Sequence, residues 1–158
     1  MKLEAKKILK TIYGYDEFRA LQWEIIESVL KNQDVLALMP TGGGKSLCFQ
    51  IPALLKEGVA IVVSPLIALM KDQVEGLVGN GISADFINSS QSNSEQESVL
   101  RSLELGEIKL LYVSPEKLIS DHFLSFLQTL KISLIAVDEA HCISWVMILG
   151  QNMRNWDC

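Results

Sequence analysis

Met39-Pro40-Thr41-Gly42-Gly43-Gly44-Lys45-Ser46 lies between two apolar runs, and those flanks decide the fold. Val35-Leu36-Ala37-Leu38 before it reads as a buried strand. Leu47-Cys48-Phe49-Gln50-Ile51 after it reads as the start of a helix. Strand, glycine turn and helix N-terminus in that order make a cradle for phosphates. Three glycines let the backbone curl until successive N–H groups point inward, and the helix dipole adds partial positive charge. In such a loop Thr41, Gly42, Gly43 and Gly44 form the turn, Lys45 reaches the β- and γ-phosphates, and the Ser46 hydroxyl ligates Mg²⁺. The strict pattern places glycine six residues before the lysine, where this chain has Met39.

The partner of that loop is expected near the other end of the chain. Leu134-Ile135-Ala136-Val137 is an apolar strand that runs into Asp138-Glu139-Ala140-His141. Four apolar residues before the two acids bring them out at a sheet edge. There Asp138 can hold Mg²⁺ through its water shell, opposite Ser46, while Glu139 polarises a water in line with the γ-phosphate. Two acids after a strand are common, and so is a glycine turn before a lysine. Both together, in this order and on these elements, point to an NTPase. His141 and Cys142 have no further ligand at metal-binding spacing, so zinc is not expected. His141 is better placed to sense the nucleotide.

Between the two motifs, strands alternate with helices. Residues 3–12 form a short amphipathic helix ended by Gly14, and a second helix is expected from about Arg19 to Lys31. Extended back, that helix would put Tyr15, Arg19 and Gln22 on one face, able to stack on adenine and bond its edge; ordinary polar decoration explains the spacing equally well. The helix after the phosphate loop contains Pro52 and should kink or restart there. Val59–Val63 is an apolar strand, followed from Ser64-Pro65 by a helix to about Val78. A short strand at 84–87, the polar loop from Asn88 to Ser92, a helix at 95–105 and a strand at 109–113 come next. Ser114-Pro115-Glu116 then starts a helical stretch through Leu127. Each strand is a continuous apolar run rather than an in–out alternation, the mark of a parallel sheet covered on both faces. In such sheets ligands bind beyond the carboxyl ends of the strands, where both motifs fall.

With 158 residues, 49% of them hydrophobic and 21% charged, the chain has the composition of one globular domain. No apolar run has the length of a bilayer span, no signal-peptide core follows Met1, and three scattered cysteines suit a reducing compartment. The expected location is cytoplasmic, or with the nucleoid in a bacterium. A net charge of −5 confines any DNA contact to one edge of the domain.

Six segments of the chain together resemble the successive motifs of RecQ DNA helicases, of helicase superfamily 2. They are Phe18-Arg19-Ala20-Leu21-Gln22, the Met39-to-Pro52 stretch, Ser64 to Gln73, Ile87-Asn88-Ser89-Ser90, Tyr112 to Leu118, and Asp138-Glu139-Ala140-His141-Cys142-Ile143-Ser144. The resemblance runs almost the whole chain. It implies a RecA-like P-loop NTPase lobe, an α/β fold with a mainly parallel sheet flanked by helices, at residues 34–145. A helical N-terminal extension at 1–33 would carry the adenine-recognition residues Tyr15, Arg19 and Gln22. The implied activity is ATP-driven 3′-to-5′ DNA unwinding in repair and recombination, with ATP and Mg²⁺ as ligands and single-stranded or forked DNA as partner. Lys45, Asp138 and Glu139 fall on the family's catalytic positions and His141 on its coupling histidine. Ser64, Pro65, Asn88 and Ser89 fall on segments that line the DNA path.

Departures begin after Ser144. The family continues with an aromatic-rich loop, Ser-Gln-Trp-Gly-His-Asp-Phe-Arg-Pro-Glu-Tyr, whereas this chain reads Trp145-Val146-Met147-Ile148 and stops at Cys158. Back-translated from the third base of the Trp145 codon, the tail forces Gly and Asp and allows the rest of that loop. Residues 146–158 are therefore expected to be an out-of-frame tail; codons unable to spell the loop in that frame would exclude this. A second RecA-like lobe with its arginine finger would be missing, leaving a lobe that binds Mg–ATP weakly and does not unwind. Alternatives are a small single-domain P-loop kinase or phosphatase, a non-catalytic nucleotide- or DNA-binding module, and a fragment with no function.

Overall fold

The structure is a computed structural model that describes residues 1–40 and 42–138. In chain order its elements are α1 (Lys2–Tyr13), α2 (Gln22–Leu30), α3 (Leu47–Leu55), β1 (Val59–Val63), α4 (Ile67–Gly79), β2 (Ala84–Ile87), α5 (Asn93–Glu104), β3 (Leu110–Val113), α6 (Pro115–Leu118), α7 (Asp121–Leu127) and β4 (Ile132–Val137). The four strands form one sheet in the order β2-β3-β1-β4, and every pairing is parallel. The expected α/β fold with a parallel sheet flanked by helices is what forms.

Strand geometry explains the continuous apolar runs. Successive side chains point to opposite faces of a sheet, and here both faces are covered. Ala60, Val62, Leu110, Tyr112, Leu134 and Ala136 join Phe49 of α3 and Met70 and Val74 of α4 on one face. Ile61, Val63, Leu111, Val113 and Ile135 join Val99 of α5 and Phe123 of α7 on the other. Ala5, Leu9, Ile26 and Ile51 form a third cluster, which fastens α1 and α2 to the outer side of α3. That cluster anchors the chain leading into α2 beside the glycine turn.

Four local expectations are corrected. Residues 35–38 belong to no strand; Val35 and Ala37 pack on the core while Leu36 and Leu38 are 61% and 60% exposed. The segment thus has one buried face rather than two, and among the described residues it pairs with no strand. Helix α2 starts at Gln22 instead of Arg19, because Leu21 takes a left-handed φ of 67° that no helix interior accepts. Of the two outcomes expected at Pro52, the restart does not occur: helix α3 runs on through it and ends at Leu55. The stretch from Pro115 to Leu127 divides into α6 and α7 at Ile119 and Ser120.

At the carboxyl edge of the sheet, the residue after each strand is polar and buried. Asn88, Ser114, Ser64 and Asp138 follow β2, β3, β1 and β4, with exposures of 0%, 2%, 1% and 6%. Backbone bonds extend the ladder to this row: Ser64 N–H to Val113 O at 3.0 Å, Ser114 N–H to Ile87 O at 3.3 Å, and Asp138 N–H to Val63 O at 2.8 Å.

Candidate nucleotide and nucleic-acid site

The glycine turn is held from behind by the residues expected to read adenine. Gln22 is 1% exposed, and its Nε2 donates to Gly43 O at 3.3 Å and Gly44 O at 3.1 Å. Its Oε1 accepts from the backbone N–H of Arg19 at 2.8 Å. The Arg19 guanidinium donates to Gly42 O at 2.6 Å. Gly42 and Gly44 have left-handed φ values of 78° and 74°, so the turn uses the freedom that only glycine supplies cheaply. Tyr15 precedes this clasp with half of its surface exposed.

Tyr15, Arg19 and Gln22 therefore converge, although not along one helix face as the spacing suggested. With Leu9, Glu17, Gly42, Gly44 and Leu47 they line a cavity of about 130 Å³. Glu17 went unnoticed in the sequence because an exposed acid ion-paired to Lys6, at 2.7 Å, has no pattern of its own. Leu9 was legible only as part of an apolar helix face.

Helix α3 starts just after Ser46, whose hydroxyl caps no backbone N–H and so remains available to a metal. Leu134 and Ala136 of β4 face the layer that contains Cys48 and Phe49 of α3. Asp138 continues that alternation one step beyond the strand, which directs its side chain to the α3 side. A buried carboxylate there and a free hydroxyl at the helix start suit Mg²⁺, an ion that takes few protein oxygens and keeps its waters. Among the described residues no cluster of three His, Cys, Asp or Glu side chains offers a rival metal site. Thr41, Glu139, His141 and the tail at 146–158 lie outside the described residues.

Of the residues expected on the DNA path, Pro65 is half-buried and Ser89 exposed, while Ser64 and Asn88 are buried. Ser64 Oγ and Asn88 Nδ2 are buried without a hydrogen-bond partner among the described residues. Helix α4 begins next to Ser64 with no side-chain cap, and its first-turn residue Ile67 is 41% exposed. Helix α5, by contrast, is closed by a capping box in which Ser92 and Glu95 satisfy each other's backbone N–H groups. An anion reaching this edge finds open amides at α4 and a carboxylate at α5.

The fold is that of a helicase motor lobe, and the chain belongs to the DEAD/DEAH box helicase family, matching it over residues 19–154. Among its relatives are the ATP-dependent DNA helicases RecQ of Haemophilus influenzae, 53% identical over 140 residues, and of Bacillus subtilis, 51% identical over 153. Those alignments take in 89% and 96% of this chain but 23% and 26% of the relatives, so the chain spans about a quarter of their length. The crystal structure of the DUF1998 helicase MrfA shares the fold, with a TM-score of 0.67 over 88% of this chain and 24% of that one, at 24% identity. No helix among the described residues is long and apolar enough to cross a membrane.

Proposed function

We propose that this chain is the first motor lobe of a RecQ-type 3′-to-5′ DNA helicase, binding Mg–ATP at the glycine turn and single-stranded DNA at the carboxyl edge. The observation that carries this reading is the clasp of Arg19 and Gln22 on Gly42, Gly43 and Gly44. It joins a base pocket to a phosphate cradle in one rigid unit. The Tyr15 ring and the Arg19 guanidinium hold adenine between them. Lys45 neutralises the outer phosphates, and Ser46 with Asp138 holds Mg²⁺, which supplies charge neutralisation when bound. Glu139 orients the attacking water, and His141 couples the nucleotide state to DNA. The DNA backbone lies on the open amides of α4 next to Ser64 and Pro65, and on the Asn88–Ser89 turn.

One lobe alone supplies one wall of the nucleotide cleft. Without an arginine finger from a second lobe, hydrolysis falls by about 10³–10⁵-fold, so this chain by itself binds but barely turns over and does not unwind. Titration with a fluorescent ATP analogue and Mg²⁺ tests the reading. Lys45→Ala is expected to weaken binding about 10- to 100-fold, the worth of a charge-assisted hydrogen bond, and to leave oligo-dT binding in place. Nucleotide binding indifferent to Lys45→Ala would remove the reading. DNA-stimulated hydrolysis by the 158-residue chain would remove its one-lobe limit.

A further inference from the structure

The apolar layer that carries α3 and α4 contains one polar knot that the nucleotide site does not use. Gln50 lies four residues after Ser46 on α3 and is 5% exposed; Tyr112 of β3 is fully buried; Gln73 reaches in from α4. Gln50 Nε2 donates to the Tyr112 hydroxyl and to Gln73 Oε1, and the Tyr112 hydroxyl donates to the same oxygen, all at 3.4 Å. Unstrained bonds of these kinds run to about 3.2 Å, so all three sit at their outer limit and two end on a single carboxamide oxygen. Phe49, Met70 and Val74 belong to the same apolar cluster and offer no substitute partner. A sub-ångström shift of either helix strengthens or breaks the bonds to Gln73 together.

The corners of this triangle have distinct addresses. Helix α3 begins at the phosphate loop, and α4 begins at the open amides beside Ser64 and Pro65. Burial pushes the Tyr112 phenol far above its usual range; the Gln50 hydrogen bond opposes this, and the Asp138 carboxylate adds to it. Tyr112 therefore feels the end of β4 as well.

We propose that Gln50, Gln73 and Tyr112 are positioning residues that set α3 against α4 and transmit nucleotide occupancy to the nucleic-acid edge. A triphosphate drawing on Lys45 and Ser46 shifts α3, Gln50 follows one turn later, and Gln73 hands the shift to α4. This rests on the nucleotide and single-stranded-DNA reading of those two helix ends.

Dissociation constants for the fluorescent ATP analogue with Mg²⁺ and for an oligo-dT strand, each alone and each with the other saturating, test it on the whole chain. Wild type is expected to show coupling of about 5-fold or more, the lower range of measured site-to-site coupling. Tyr112→Phe and Gln73→Met remove hydrogen bonds with little change of volume. They are expected to bring coupling below about 2-fold while moving each separate affinity by less than about 3-fold. A merely structural role would change stability or the separate affinities and leave their ratio alone. If Tyr112→Phe does not fold, the half-buried Gln73→Met decides. Coupling kept in the variants, or absent from a wild type that binds both ligands, overturns the positioning role and leaves the nucleotide reading intact. A wild type that binds neither ligand overturns both.

Discussion

Gly44→Ala is expected to weaken Mg–ATP binding by about 10²-fold or more, about 2.7 kcal/mol, the worth of one or two hydrogen bonds from backbone amides to a charged group. The added Cβ would stand 2.3 Å from Gln22 Nε2, at a backbone φ of +74°. The left-handed conformation alone costs an L side chain about 1–2 kcal/mol. Gln22 can yield only by breaking its own bonds: it is 1% exposed, its amide is tied to Gly43 O and Gly44 O, and its oxygen is taken by Arg19 N–H. Either the loop moves outward or the clasp opens, and in both cases the amides of the turn leave their places. Gly42→Ala separates the two causes, since its φ is +78° but, beyond its chain neighbours, no described residue lies within 4 Å of the added methyl. It should bear the backbone cost without the collision and retain about ten times more affinity than Gly44→Ala, a gap of about 1.4 kcal/mol. Fluorescence titration of both variants, with circular dichroism to show that each is folded, measures the difference. Equal affinities would mean that contact with Gln22 does not shape the loop.

The same contact shows what could be read in advance and what could not. Apolar runs at β1, β3 and β4 were legible because a strand covered on both faces is apolar at nearly every position. The glycine turn ahead of α3 was legible because three successive glycines before a helical run mark a tight turn. The run Val35-Leu36-Ala37-Leu38 looks the same as a two-faced strand, yet Leu36 and Leu38 are exposed. Composition reports how apolar a segment is and not whether a neighbour exists to cover its second face. Tyr15, Arg19 and Gln22 met for a reason periodicity does not hold: a positive φ at Leu21 turns the chain just ahead of α2. That conformation costs a leucine about 1–3 kcal/mol, and the third cluster of Ala5, Leu9, Ile26 and Ile51 holds the turn in place. The Gln50–Gln73–Tyr112 triangle joins residues up to 62 positions apart with no local signature.

The amino edge of the sheet carries the largest expected effect on stability, from Gly58→Ala. Gly58 has a φ of +98°, and a Cβ there would lie 2.2 Å from Lys131 O and 2.9 Å from Lys131 C, both backbone atoms of the chain entering β4. A side-chain collision can be relieved by a rotamer change; this one requires a strand to move. Lys131 O also accepts from Val59 N–H at 2.9 Å, the first bond joining β1 to that segment, and Gly58 O accepts from Lys109 Nζ at 3.1 Å. The alanine thus pushes β1 and β4 apart where their pairing starts. A left-handed alanine costs about 1–2 kcal/mol, a lost backbone hydrogen bond about 1 kcal/mol, and displacement of packed Val59 and Ile132 adds to both. About 3–4 kcal/mol in total lowers the melting temperature by about 10 °C in a chain of this length. Gly106→Ala is the matched control, with a φ of +71° and no described residue beyond its chain neighbours within 4 Å, and should cost only the backbone part, about 3–6 °C. Thermal melts of the two variants decide the point. A Gly58→Ala chain that melts with Gly106→Ala would show that β1 and β4 do not approach as closely as the Lys131 carbonyl implies.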